Sequence, residues 1–272
     1  MTVINTNIKS LITQTALSRN ARDLQDAMNQ LATGRRINSA ADDAAGLAIT
    51  NKMTQQIRGL DQAVRNSNDA ISMMQTAEGA TIEITNMLQR MRELAIQAAN
   101  GTNSTANTAA LQKEFDELQF EISRISENTE WNGMQVLGAS GGTYTMQIGA
   151  NNAQTLDITF ANISANTGMA SAIDASLVVT ASFTLSKIDS AISFIDDFRS
   201  NLGAKINRLE YTVDNLTNVS VNTSASRSRI LDTDYAKAAS EMARTQIIQQ
   251  AGTAILAQAN TDQQTVLQLL KG

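Results

Sequence analysis

The stretch Met53-Thr-Gln-Gln-Ile57-Arg-Gly-Leu60-Asp-Gln-Ala-Val64-Arg-Asn-Ser67-Asn-Asp-Ala-Ile71-Ser-Met-Met74 decides how the chain is read. Its apolar and small positions fall at alternating steps of four and three, an average of about 3.5 residues, which keeps one seam of a helix turned toward partner helices. With a shift, the pattern continues through Ile84, Leu88, Met91, Ala95 and Ala98. It recurs on both sides. Leu17, Ala21, Leu24, Met28 and Leu31 form an earlier seam, and Leu111, Phe115, Leu118, Ile122 and Ile125 a later one. A fourth runs through Ile188, Ile192, Ile195, Arg199, Leu202, Ile206, Leu209, Val213 and Leu216. The last has Ile248, Gly252, Ile255, Ala259, Asp262, Val266 and Leu269.

Composition permits long helices. The 272 residues include no proline, and only 4% are aromatic. A proline inside a helix costs roughly 3 kcal/mol or more, so its absence removes the main interruption. The expected fold class is mainly α: a long coiled-coil-like bundle formed by N- and C-terminal segments, with a small β-hairpin region in the middle.

Punctuation fits that reading. Thr33-Gly34 stops the first helix, Ser39 with Asp42 resembles a capping box opening the second, and Asn100-Gly101 closes it. In the middle the period changes to two. Tyr144, Met146 and Ile148 alternate with polar neighbours, as do Leu156, Ile158 and Phe160, and Gly149–Asn152 lies between them as a turn. Residues 161–182 are rich in Ser, Thr and Ala without a period, so they read as a short exposed variable insert.

The residue inventory narrows the chemistry. There is no His and no Cys, which removes thiol nucleophiles, disulfides, Cys/His zinc sites and the commonest general base. No catalytic residue, cofactor or metal site is expected. The Asp42-Asp43 pair reads as a helix-start device rather than a carboxylate dyad. A formal charge of −5 without a Lys/Arg block disfavours nucleic acid as a partner. Asn5 and Asn7 interrupt any apolar stretch near the start, and no run of 18 apolar residues exists, so neither a cleavable leader nor membrane insertion is expected. An isolated helix is marginal in water, so the terminal seams require a partner, within the chain or from neighbouring copies.

Several ordered blocks resemble the bacterial flagellins. They are Val3–Asn7, Gly34-Arg-Arg-Ile-Asn-Ser-Ala-Ala-Asp-Asp-Ala-Ala-Gly-Leu-Ala-Ile49, Arg65–Ser72, Gln75–Ala80, Gln89–Ser104, Ser228–Ala236 and Gln264–Leu270. The likeness covers about 1–160 and 185–272 and points to a short form with its outer domains reduced. Trp131 stands where a smaller aromatic is common in the family.

The resemblance implies a structural subunit that self-assembles into the extracellular flagellar filament for swimming motility. Export would use the flagellar type III system, with an export chaperone at the C-terminal helix and the cap and hook-junction proteins as further partners. Residues 1–38 and 233–272 would be terminal helices forming the inner filament core, and 39–160 with 183–232 a helical body whose hairpin lies near 130–160. Leu17, Leu24, Met28, Leu31, Ile248, Ile255, Val266 and Leu269 would be polymerisation seams. Arg90, Leu94 and Glu114 match positions through which similar flagellins meet the vertebrate Toll-like receptor for flagellin. The competing readings are a hook–filament junction protein, a secreted coiled-coil effector and an unrelated helical bundle. The paired blocks at both ends favour a flagellin over each of them.

Overall fold

The computed structural model describes residues 6–138, 142–163, 165–177 and 181–271, with the side chains of 181–183 and 262–271 outside the description. Helices α1 (Ile8–Thr33), α2 (Ala44–Ala99) and α3 (Thr105–Asn128) come first in the chain. Strands β1 (Glu130–Trp131), β2 (Met134–Gln135), β3 (Thr143–Gln147) and β4 (Thr155–Thr159) follow. Helices α4 (Thr167–Ile173), α5 (Ala181–Leu231) and α6 (Tyr235–Lys271) complete it.

The residues at the ends of these helices explain their limits. Asn7 opens α1 by accepting a hydrogen bond from the Ser10 amide, and Ser104 opens α3 through the Asn107 amide. Gly34 closes α1 in the left-handed region at φ 69°, where a side chain would be strained. Helix α2 starts later than the Ser39/Asp42 reading expects. Asp43 accepts from the Gly46 amide at 2.8 Å and is the capping carboxylate. Asp42 instead turns back to the amides of Asn38 and Ser39, both at 2.8 Å.

The chain divides into two compact units, residues 56–221 and residues 1–55 with 222–272. In the middle unit, α2, α3, α5 and the strands enclose a continuous apolar core. Met73, Met74, Ile84, Leu88, Met91, Phe115, Ile122, Ile158, Ile188 and Ile195 are fully buried. Each of these helices turns its three-and-four seam inward. Arg92 Nε donates to Asp189 Oδ1 at 2.7 Å, tying α2 to α5 on the surface.

Two antiparallel pairs close the middle unit. Strands β3 and β4 pair Thr143 with Thr159 through Gln147 with Thr155, so the expected hairpin is present and buries Leu156 and Ile158. The short β1–β2 pair is an addition. Its two-residue turn is Asn132-Gly133, with φ 51° and 75°, a dipeptide whose tolerance of positive φ suits tight hairpins.

The expectation of an exposed insert over 161–182 is corrected for its described residues. Asn166 caps the short α4, and Ile163, Met169, Ala172 and Leu177 are buried in the core. These apolar residues lie too irregularly for a period to reveal them, and neighbouring helices supply the order. Gln119 Nε2 donates to the carbonyls of Ala172 and Ala175 at 3.0 and 2.9 Å, holding the segment to α3.

Candidate assembly surface

The terminal unit is built differently. Helices α1 and α6 run antiparallel: Asn20 Nδ2 donates to the Thr245 carbonyl at 2.8 Å in a buried contact, and Asn7 Nδ2 donates to the Ala259 carbonyl at 2.9 Å. The buried facing residues are small or polar: Asn20, Ala27, Ala238, Thr245 and Ala259. A Cβ added to Gly252 would lie 3.1 Å from the Leu17 side chain, so the backbones approach closely there.

This narrow interface covers only part of the terminal seams. Leu17, Leu24 and Leu31 are half-buried. Met28, Ile248 and Ile255 instead remain 47%, 41% and 58% exposed, joined on the surface by Ile8, Leu11, Ile12 and Ile247. Ala21 is exposed as well, while Gly252 and Ala259 turn inward as small residues must for the helices to meet. Helix α6 continues through Val266 and Leu269, whose side chains lie outside the described residues.

A shallow groove of about 470 Å³ runs beside the α1–α6 contact. Leu11, Ile12 and Ile248 give it apolar walls, and Arg19, Asp23 and Arg244 give it charged edges. Glu241 binds Arg244, and that ion pair holds the Glu241 carboxyl below its usual range. Exposed apolar rows of this kind, rimmed by charge, mark surfaces that associate.

The connection between α1 and α2 is fixed by backbone bonds to the end of α5. The Arg36 amide donates to the Leu231 carbonyl at 2.7 Å, and the Thr233 amide donates to the Gly34 carbonyl at 3.1 Å. Arg36 also reaches the Ile230 carbonyl at 2.7 Å. Arg36 is therefore tied into this clasp. The Ser39 and Asn38 amides hold the Asp42 carboxyl below the usual aspartate range. Asp42 and Asp43 both serve the backbone, as expected of a helix start.

The three expected receptor positions separate. Arg90 Nε donates to Glu114 Oε1 at 2.8 Å and bridges to Glu93 at 2.9 Å, with Arg90 and Glu114 each about half exposed. Glu114, then Glu93, raises the Arg90 pKa further above its ordinary value. Leu94 is 1% exposed and belongs to the core, so it is corrected from a surface contact to a packing residue.

The bacterial flagellin N-terminal helical region matches residues 4–141, and the flagellin C-terminal helical region matches 185–270. The chain belongs to the flagellin family.

It is 46% identical to a flagellin of Halalkalibacterium halodurans over 271 residues, covering 99% of this chain and all of that one. It is 42% identical to a flagellin of Xenorhabdus nematophila over 310 residues, covering 99% of both chains. The crystal structure of Bacillus cereus flagellin is similar at 34% identity with a TM-score of 0.51, covering 60% of this chain and 94% of that one. A putative flagellar hook-associated protein from Vibrio parahaemolyticus shares the fold alone, at 12% identity and a TM-score of 0.62 over 70% of this chain and 100% of that one.

As a flagellin, the chain is a structural subunit of the extracellular flagellar filament and not an enzyme. Among the described residues, no helix is long and apolar enough to cross a membrane.

Proposed function

We propose that the outward apolar rows of α1 and α6 are the surfaces through which copies of this flagellin polymerise. The observation that carries the reading is the exposure of Ile248, Ile255, Ile12 and Leu11 on helices whose fully buried contact residues are small or polar. Burying such a side chain completely stabilises by roughly 1.5–3 kcal/mol, and neighbouring copies supply the missing cover. A contact that joins different patches on successive copies does not close, so it propagates as a helical filament.

Subunits reach the growing end through the flagellar type III system, with a chaperone covering the C-terminal helix beforehand. They order beneath the cap and join the hook through junction proteins. Seeded polymerisation of Ile248→Asp/Ile255→Asp protein, read by sedimentation and electron microscopy, tests the surface. The expected result is a soluble, folded monomer without filaments; filaments at wild-type yield overturn the reading.

A second reading concerns a host partner. The half-exposed Arg90–Glu114 pair supports recognition by the vertebrate Toll-like receptor for flagellin without direct use of Leu94. Signalling by Arg90→Ala/Glu114→Ala protein in receptor-bearing cells should fall, and unchanged signalling overturns it.

A further inference from the structure

Met28 stands apart from the other described methionines. Met73, Met74, Met91 and Met169 are fully buried, and Met53, Met87, Met134, Met146 and Met242 are half-buried. Met28 is the one described methionine on the open surface, at 47% exposure. Its neighbour Ala27 is buried, so Met28 flanks the face of α1 that carries the intramolecular contact. Met28 is thus reachable in the free subunit, on a helix whose outer surface the assembly reading assigns to a second copy.

We propose that Met28 is an oxidation site that sets whether the subunit can assemble, with a hydroperoxide as the oxidant and a second copy of this chain as the partner lost. This rests on the assembly reading above. A sulfur lone pair attacks one peroxide oxygen; the S–O bond forms as the O–O bond breaks. With hydrogen peroxide, the sulfur is oxidised by two electrons and the peroxide is reduced to one water.

The product is a polar, chiral sulfoxide in place of a flexible apolar group, and it is chemically reversible by methionine sulfoxide reductases. In the monomer the new oxygen stays in water, so folding is little affected. Between copies it must be desolvated, and burying a polar group without a partner is costly. Assembly therefore discriminates where folding does not. Once assembled, the covered thioether is shielded from the same oxidant.

The test uses the full chain as wild type, Met28→Leu and Met28→Gln. Monomers are treated with graded hydrogen peroxide, Met28 oxidation is followed by peptide mass spectrometry, and seeded polymerisation is read by sedimentation. Circular dichroism reports the fold. Oxidised wild type is expected to need roughly tenfold more monomer to assemble, equivalent to about 1.4 kcal/mol. Met28→Leu, which keeps the volume without the sulfur, should assemble before and after treatment. Untreated Met28→Gln, a polar chain of similar length, should assemble as poorly as the oxidised protein.

The proposal is overturned if fully oxidised Met28 leaves assembly unchanged, if Met28→Leu loses it as strongly as wild type, or if Met28→Gln assembles normally. Untreated wild type that forms no filaments overturns the assembly reading itself, a separate outcome.

Discussion

The middle and terminal units carry the same three-and-four seam, yet they resolve it in opposite ways. On α2, α3 and α5 the large residues of the seam turn inward: Ile84, Leu88, Phe115, Ile122, Ile188 and Ile195 are fully buried. On α1 and α6 the inward positions go to Asn20, Ala27, Thr245, Gly252 and Ala259, while Met28, Ile248 and Ile255 are left on the surface. The middle unit satisfies its apolar pattern within one chain. The terminal unit satisfies only part of it and leaves the rest on the surface.

The sharpest way to break this contrast is to remove the ends. A chain lacking about 35 residues from each terminus is expected to lose assembly completely, yet retain a cooperative unfolding transition from the middle core. Sedimentable filaments, or loss of the cooperative transition, would contradict the division of labour.

Within the middle unit, Phe115→Ala removes a fully buried ring from the shared core. It should cost about 3–5 kcal/mol in denaturant unfolding of the monomer. A cost under about 1 kcal/mol would show that the core is more forgiving than its burial indicates.

The terminal contact should respond more weakly. Asn20→Ala deletes the buried bond to the Thr245 carbonyl and should cost roughly 1 kcal/mol. Faster amide exchange should then appear on α1 and α6 while the middle unit is unchanged; uniform acceleration would make the two units one cooperative block.

The smallest expected effect is pH-dependent. The Ser39 and Asn38 amides lower the Asp42 pKa, so its charged form favours the folded α1–α2 connection. That stabilisation is present above the ordinary aspartate value and is lost as pH falls through the lowered one. Asp42→Asn should flatten the acid limb of the stability profile slightly, as read by thermal melts across pH; an unchanged acid limb argues against this role.

How much was legible follows the same division. The seams of α2, α3 and α5 could be read because each large apolar residue has a partner within the chain. The β3–β4 hairpin was legible from its period of two. The β1–β2 pair was too short to show a period, although Asn132-Gly133 carried its turn signal. Helix α4 was missed because seven residues hold too few apolar positions.

At the termini the most deeply covered positions are small or polar. Large residues mark a buried seam when the helices are widely spaced, but close approach at Gly252 selects small ones. Leu94 sits one turn from Arg90, and spacing along a helix does not tell which neighbour covers it.

The two asparagine side chains between α1 and α6 have a consequence for fidelity. Asn20 and Asn7 act as fixed marks on a ruler: sliding either helix by a turn, about 5.4 Å, would break both alignments at once. Single buried asparagines are known to pin coiled-coil register in this manner. Every copy therefore displays its outer apolar residues at the same height, and an error smaller than a full turn has no stable place to rest. In a polymer built by stacking identical parts, such a stop keeps a local slip from being copied into the length of the fibre.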